Sequence, residues 1–258
     1  MNERNNVKVP WILYLLPMLA GLLVWQVYTA GQPSHQFVFA SPEQVCQSLA
    51  RLTSSGELFR HAGITLFEAV VGFLTGTACG AAIGLSLWYS RTAAKVAQPY
   101  LTALASVPIF ALAPVIIVWF GIGITSKIVI AFLSTVVLAI VQSYQGAMSV
   151  EERFTRLMQV MGASRWQTFR LVVVPSALIW VLNAMKLNIG LSLLGAFIGE
   201  FISSEEGLGY MIVKASGLYD MSTVFVGVAS LIVISLLLTG TVTLLERRLM
   251  RWKFAVAK

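Results

Sequence analysis

The sequence predicts an all-α membrane protein of six transmembrane helices with both termini on the cytoplasmic side. Three observations carry this. Only 11% of the 258 residues are charged and 57% are hydrophobic, whereas a soluble domain carries about 25% charged residues. Six apolar stretches reach the roughly 20 residues needed to cross a hydrocarbon layer. Lysine and arginine are also distributed unequally between the loops, the usual determinant of orientation.

The first stretch, Trp11–Thr29, follows Arg4 and Lys8. A cleaved signal peptide is the alternative, but the apolar run is long and only a weak small-residue site follows near Thr29–Gly31, which favours a retained span. An outer connection follows from Gln32 to Arg60, in which "SPEQVCQSLARL" reads as a short amphipathic helix capped by Ser41. The second stretch, Ile64–Ser90, places Gly72, Gly76, Gly80 and Gly84 along one face, a pattern that lets another helix approach closely. The third, Tyr100–Phe120, contains Pro108 and Pro114 and ends on Trp119 and Phe120. Its prolines predict either a span that lines a pathway or one that is merely kinked, since broken backbone bonds at membrane depth normally need protein or a water-lined cavity beside them. Gly121 and Gly123 then make a turn, and Thr125 or Ser126 is placed to cap the fourth stretch, Ile128–Met148. The fifth, Leu171–Ile202, is 32 residues long and must tilt, kink or extend past the bilayer. The sixth is Thr223–Leu245. Residues 1–10 and 246–258 form cytoplasmic tails around a membrane domain of 11–245.

With the N-terminus inside, the inner segments hold Arg4, Lys8, Arg91, Lys95, Arg153, Arg156, Arg165, Arg170, Arg247, Arg248, Arg251, Lys253 and Lys258, 13 of the 18 basic residues. Arg51, Arg60, Lys127 and Lys214 fall outside, and Lys186 lies within a span.

Several function classes are excluded. The formal charge of +7 sits between apolar runs rather than in a basic groove with interleaved aromatics, so nucleic acid is not the expected partner. Cys46 and Cys79 form neither a disulfide framework nor a metal set, and His35 and His61 lack ligand spacing. There is no G-x-x-x-x-G-K-[ST] and hence no phosphate-cradling loop. A membrane-embedded enzyme would need a nucleophile with a base or paired carboxylates on facing helices, and no His-based arrangement or metal motif appears within the spans.

One segment departs from the rest. In "RLMQVMGASRWQTFRLVVVP", Arg156 to Pro175, Gly162 separates two helical pieces that carry Arg156, Arg165 and Arg170. Phe154, Leu157, Met158 and Met161 recur at i, i+3, i+4, i+7, one stripe of a helix of about three turns, with Arg153 and Arg156 on other faces. Gly162 suits a left-handed helix end. Ser164 and Gln167 match the capping box that starts a new helix, which runs through Trp166 and Phe169 into the fifth span with Pro175 inside the run. A Met-rich apolar stripe with basic flanks suits insertion into a partner's groove. On composition alone, an interfacial helix lying on lipid is the competing reading.

The spacing tips the balance. Gly162, nine residues, then Val172-Val173-Val174-Pro175 resembles the loop of binding-protein-dependent ABC importer permeases, which reads E-A-A, three residues, Gly, nine residues, Ile-x-Leu-Pro. "GASRWQTFRLVVVP", "WFGIGITSK", "GLGYMIVKA" and "FASPEQV" are similar to the nitrate/sulfonate/taurine branch, in order and between suitably placed spans. The resemblance implies a type I ABC importer permease fold in a bacterial inner membrane. It also implies two cytoplasmic ABC ATPases, an external solute-binding protein and a second permease copy, for which the glycine face suggests a homodimer. ATP and magnesium would be used by the ATPase, with no cofactor in this chain. The elbow would be the ATPase-coupling element, formed by Arg153, Phe154, Arg156, Leu157, Met158, Met161, Gly162, Ala163 and Ser164. In one departure, the family's E-A-A falls on Arg156, Leu157 and Met158, so the ATPase is expected to present an acidic or neutral surface opposite Arg156.

Ionisable groups inside a membrane are functional candidates. Lys186 and Glu200 lie in the fifth span, with Asn183 and Asn188 beside Lys186. They are 14 residues apart, about 21 Å along a helix and nearly on one face, too distant to pair. Lys186 is expected to meet an anionic solute or an acid from another helix, unless it snorkels toward the inner surface. Glu200 is expected near the outer interface, as a gate, a binding-protein contact or a hydrated acid. Phe110, Asn183, Lys186, Asn188 and Glu200 are the translocation-pathway candidates; Glu68 is expected to be interfacial. The competing function is a stand-alone ion-coupled secondary transporter or channel, which predicts several buried acids and leaves the elbow without a role.

Overall fold

The computed structural model describes residues 12–31 and 33–250, so Trp11, the 1–10 tail with Arg4 and Lys8, and Arg251, Lys253 and Lys258 lie outside the described residues. Helix α1 (Ile12–Ala30) is followed by two short helices, α2 (Pro33–Phe39) and α3 (Pro42–Ser54). Ser41 caps α3 as the sequence predicts, in a reciprocal capping box with Gln44. Helix α4 (Glu57–Ser86) ends in a 3₁₀ turn, Leu87–Tyr89. Then come α5 (Arg91–Ser106), α6 (Ile109–Phe120), α7 (Ile124–Met148), α8 (Glu152–Val160) and α9 (Arg165–Thr168). A π-helical turn, Phe169–Val173, joins α9 to α10 (Val174–Ile202), and α11 (Leu208–Gly217) and α12 (Met221–Leu249) follow. There is no strand among the described residues.

Among the described residues, four stretches are long and apolar enough to cross a membrane, Glu57–Tyr89, Ile124–Met148, Arg165–Ile202 and Met221–Leu249, and the bent pair of α5 and α6 makes a fifth when taken as one span. Helices α4, α7 and α10 form the central layer, and α11 and α12 close over it. The alternation puts α3, the starts of α4, α7 and α12 and the end of α10 at one end of the bundle. The elbow of α8 and α9 lies at the other.

The third stretch is not one kinked span. It is broken at Val107–Pro108 into α5 and α6, which meet at 91°. Proline has no N–H and forces its predecessor out of the helical region; Val107 is extended, at ψ 120°. Pro114, by contrast, is accommodated within α6. The start of α7 also differs from expectation. Its N-cap is Gly123 rather than Thr125 or Ser126, and the Ser126 hydroxyl instead donates to the Gly123 carbonyl at 2.8 Å.

The glycine face of α4 is occupied within the chain. A Cβ at Gly72 would collide with Ala131, at Gly76 with Thr135, at Gly80 with Ala139, and at Gly84 with the Ile140 carbonyl, all on α7. The face therefore brings α4 and α7 into backbone contact and gives no support to pairing with a second copy. We expect Gly80→Leu to destabilise the detergent-purified protein by about 1–3 kcal/mol through overpacking. Gly63→Ala, at a site with open space, should leave its thermal transition in place.

Asp220 caps α12, accepting from the Thr223 amide at 3.1 Å and the Thr223 hydroxyl at 2.8 Å. Partial burial pushes its carboxyl up, but hydrogen bonds from Ser222 and Thr223 and the Arg51 guanidinium outweigh this and hold it below its ordinary 3.8. A depressed carboxylate contributes stability above its unfolded value, and that stability is lost as pH falls through the lower folded value. Acid melting curves of Asp220→Asn should lack this component.

Candidate coupling elbow and membrane charges

The elbow is built by local rules at each step. Glu152 lies in the first turn of α8, where a carboxylate complements the helix dipole. At the other end Gly162 adopts φ +74°. Its amide donates to the Gln159 carbonyl at 3.0 Å, and the Ala163 amide donates to Met158 at 2.9 Å. These two bonds are the Schellman closure that a left-handed glycine permits. One residue on, Ser164 and Gln167 exchange capping bonds that start α9: the Ser164 amide donates to Gln167 at 2.7 Å and the Gln167 amide to the Ser164 hydroxyl at 3.2 Å. Ala163 thus sits between two tightly specified helix ends. The π turn then widens the backbone just ahead of Pro175, at the start of α10, where proline's missing N–H and ring would disrupt a regular turn.

The predicted stripe is solvent-facing. Phe154, Leu157 and Met161 are exposed, Met158 is half-buried, and Val160 is 86% exposed. Arg156 is not a bare cation at the departure site, since Glu152 pairs with it at 2.8 Å one turn earlier, and Arg153 pairs with Glu151. Arg165 has a more specific role than its inner position implied. Its guanidinium donates to the Tyr89 carbonyl at 2.8 Å and lies over the Trp88 and Tyr89 rings, at 5.9 and 5.8 Å from their centroids. Phe169 packs on the same two rings. These contacts fasten the elbow to the end of α4. The paired aromatics ending the second span mark a place for a cation, but the arginine that fills it lies 76 residues further on, so the sequence carried no signal for this contact. Between the elbow and residues 88–91 lies a groove of about 600 Å³, bordered by Trp88, Arg91, Met148, Arg156 and Gln159.

Lys186 follows one of its two expected readings, while Glu68, Lys127 and Glu200 are placed differently from expectation. Lys186 meets an acid on another helix, Glu246 of α12, at 2.5 Å. Asn188 is buried and donates to the Thr77 hydroxyl at 3.0 Å, tying α10 to α4. Asn183 and Phe110 are exposed on the bundle surface. Glu200 is not a hydrated interfacial acid: it is 1% exposed. Its carboxylate accepts from the Thr65 hydroxyl and from the Gly209 amide, both at 2.6 Å. Glu68, expected at the interface, is also buried. Lys127, assigned to an outer loop, is buried as well, with its ammonium on the Ile122 and Gly123 carbonyls. His61 accepts from the Gly207 amide at 3.0 Å, and the Thr65 hydroxyl accepts from Leu208 at 2.8 Å. Thr65, His61 and the Gly207–Gly209 turn were not legible as one site, because only the crossing of α4 over α10 brings them together.

Residues 72–251 match the family described as "Binding-protein-dependent transport system inner membrane component". The chain belongs to that family. It is 34% identical over 254 residues to the riboflavin transport system permease protein RibX of Chloroflexus aurantiacus, covering 97% of this chain and 94% of that protein. It is 27% identical over 236 residues to the taurine transport system permease protein TauC of Escherichia coli, covering 90% and 86%. Among solved structures, an inward-facing conformation of the MetNI methionine ABC transporter superposes with a TM-score of 0.69 at 18% identity, covering 77% of this chain and 98% of that one, which shows a shared fold. The chain is a multi-pass ABC importer permease, a transport subunit of a family that works with ATPase and binding-protein partners.

In this permease Lys186 and Glu246 hold α10 to α12. Lys186→Met or Glu246→Gln alone should lower thermal stability. The double variant should recover part of the loss, with a coupling on the order of 1 kcal/mol in a double-mutant cycle. The KM for solute uptake should not follow these changes.

Proposed function

We propose that this permease takes its driving force from cytoplasmic ATPases through the helix–turn–helix of residues 152–170, and passes a small solute delivered by an external binding protein. The observation that carries the reading is the exposed stripe of Phe154, Leu157, Val160 and Met161 on a helix whose C-terminal end is fixed by the Gly162 turn. An apolar helix face of this kind is a groove-binding element. The tight Gly162 turn and the Arg165 anchor give it a defined direction relative to α10 and α4. Arg153 and Arg156, each paired to a neighbouring glutamate, form a polar rim around the stripe.

The positive-inside distribution supports a cytoplasmic elbow and cytoplasmic termini in a bacterial inner membrane. The opposite end, with Glu205, Glu206 and Asp220, then faces the binding protein. A pair of permeases with two ATPases is the assembly we propose, and ATP and magnesium belong to the ATPases. The relatives named for riboflavin and taurine differ widely in the size and charge of their solutes. That difference suits a permease whose solute is chosen by the protein that delivers it. Phe110 and Asn183 remain the pathway candidates with unoccupied side chains.

The test is co-purification of the tagged chain with the products of its neighbouring genes in mild detergent. Val160→Glu and Leu157→Glu should each weaken ATPase retention by about 2 kcal/mol, roughly thirtyfold, without lowering the amount of permease in the membrane. Gly162→Val should act similarly by forcing a β-branched residue into a left-handed conformation. Active uptake with no ATPase attached, indifferent to all three substitutions, would instead favour an ion-driven carrier.

A further inference from the structure

We infer that the cleft between α2, α3 and the α11–α12 turn receives the binding protein, through the stacked rings of Phe37 and Tyr219 and the outward edge of Arg51. The inference deepens the proposed function and rests on its reading that this end of the bundle is external. It commits the partner's contact to an apolar side chain set beside a carboxylate.

Helix α11 ends in the same two-bond closure as the elbow. The Tyr219 amide donates to the Ser216 carbonyl at 3.1 Å, and the Asp220 amide to that of Ala215 at 2.9 Å. At the elbow the left-handed residue of this closure is Gly162, whereas here it is Tyr219, at φ +58°. A side chain in that conformation presses its Cβ against the following carbonyl, a cost that glycine does not carry. Burial does not offset the cost, because Tyr219 is 65% exposed. Strain of this kind collects at functional surfaces, and the Tyr219 ring is what the turn puts on display. Ala40, the other non-glycine residue with positive φ among the described residues, lines the same cleft.

The cleft encloses about 600 Å³ and has the anatomy of a receptor surface. Phe37 of α2, also more than half exposed, stacks on Tyr219 with ring centroids 5.7 Å apart and planes at 22°. Aromatic side chains ringed by polar groups are the residues that anchor protein interfaces. The polar ring is present in Gln47, Arg51, Asp220 and Ser222, with the Ser222 hydroxyl tied to that of Ser48 at 2.7 Å. Arg51 is held ready for a further partner. Its Nη2 donates to Asp220 at 3.4 Å and to Thr223 at 3.2 Å. Nε and Nη1 have no acceptor among the described residues, and the side chain is 64% exposed. The free edge of a guanidinium fixed in this way matches a carboxylate. Lipid would cover the rings but not pair with the polar lining, so a protein is the occupant that fits the whole cleft. Its α2–α3 wall lies outside the segment that matches the family, residues 72–251, so it is free to differ from one binding-protein partner to the next.

The probe is the purified binding protein encoded among the neighbouring genes, titrated onto the permease in nanodiscs with the subunits that co-purify with it. Phe37→Ala and Tyr219→Gly should each raise the Kd about tenfold or more, the loss expected of an aromatic anchor. Tyr219→Gly also relieves the left-handed turn, so its thermal transition should stay at or above the parent's. A purely structural role would move stability instead of affinity. Phe59→Ala, at an equally exposed ring outside the cleft, should keep the Kd within about twofold. Rising salt should weaken binding by the parent, and Arg51→Gln should flatten that dependence. Binding that ignores both ring variants, or keeps its salt dependence in Arg51→Gln, would overturn the cleft while leaving delivery by a binding protein in place. Ring variants that lower the permease recovered from the membrane and leave the Kd alone would make the pair a lipid anchor, which also overturns it. No binding to the parent at all would remove the delivery reading together with the cleft.

Discussion

Backbone contact between α4 and α7 is the constraint on which the rest of the bundle depends. Inside a bilayer the hydrophobic effect does little to bring helices together, so close packing and polar ties must do it. The four-residue glycine register of α4 supplies a groove into which α7 settles residue by residue, from Ala131 to Ser143. The same device recurs where α10 joins them: Gly195 lies against Ala131, Gly199 against Lys127, and Gly146 of α7 against Trp180. Once the three axes are this close, the polar side chains between them have little choice of partner. Asn188 finds Thr77, and Thr65 finds Glu200.

Features governed by local chemistry were legible in the sequence. The ends of α3 and α9 follow from Ser-x-x-Gln boxes, and the left-handed turn follows from a glycine at the end of an amphipathic run. The α10 stretch also behaves as its length demanded, continuing beyond the apolar run as a helical unit of 38 residues from Arg165 to Ile202. What was not legible depends on azimuth rather than depth. Hydropathy locates Glu68, Lys127 and Glu200 along their helices but does not show that all three point inward. Lys127 was counted with the outer loops because α7 begins earlier than its apolar run, at Ile124. The glycine face was visible, but a sequence does not say whether the approaching helix belongs to the same chain. The break at Pro108 was foreseen as a kink, not as a right-angled turn, because proline forbids a conformation without dictating the one that replaces it.

The charges in the membrane are consequently structural to a greater degree than their rarity suggested. Lys186 is neutralised by Glu246, and Lys127 is buried with its ammonium on the Ile122 and Gly123 carbonyls. A solute crossing beside this chain does not meet an unpaired cation at either position. Recognition by charge is thereby left to other surfaces.

One helical unit carries both ends of the molecule's business. Arg165, fastened to the tip of α4, and Glu200, holding the turn at the far end, are 35 residues apart on the same unit, about 50 Å at 1.5 Å per residue. The π turn at Phe169–Val173 is the irregularity between them, and it fixes the torsional phase of the elbow against the rest of the rod. Each residue of a helix accounts for about 100° of rotation, so one residue inserted or deleted in that turn would swing the elbow to a different side of the bundle while leaving both ends intact. The two ends are therefore geared to one another by a count of residues, with no chain of side-chain contacts required between them.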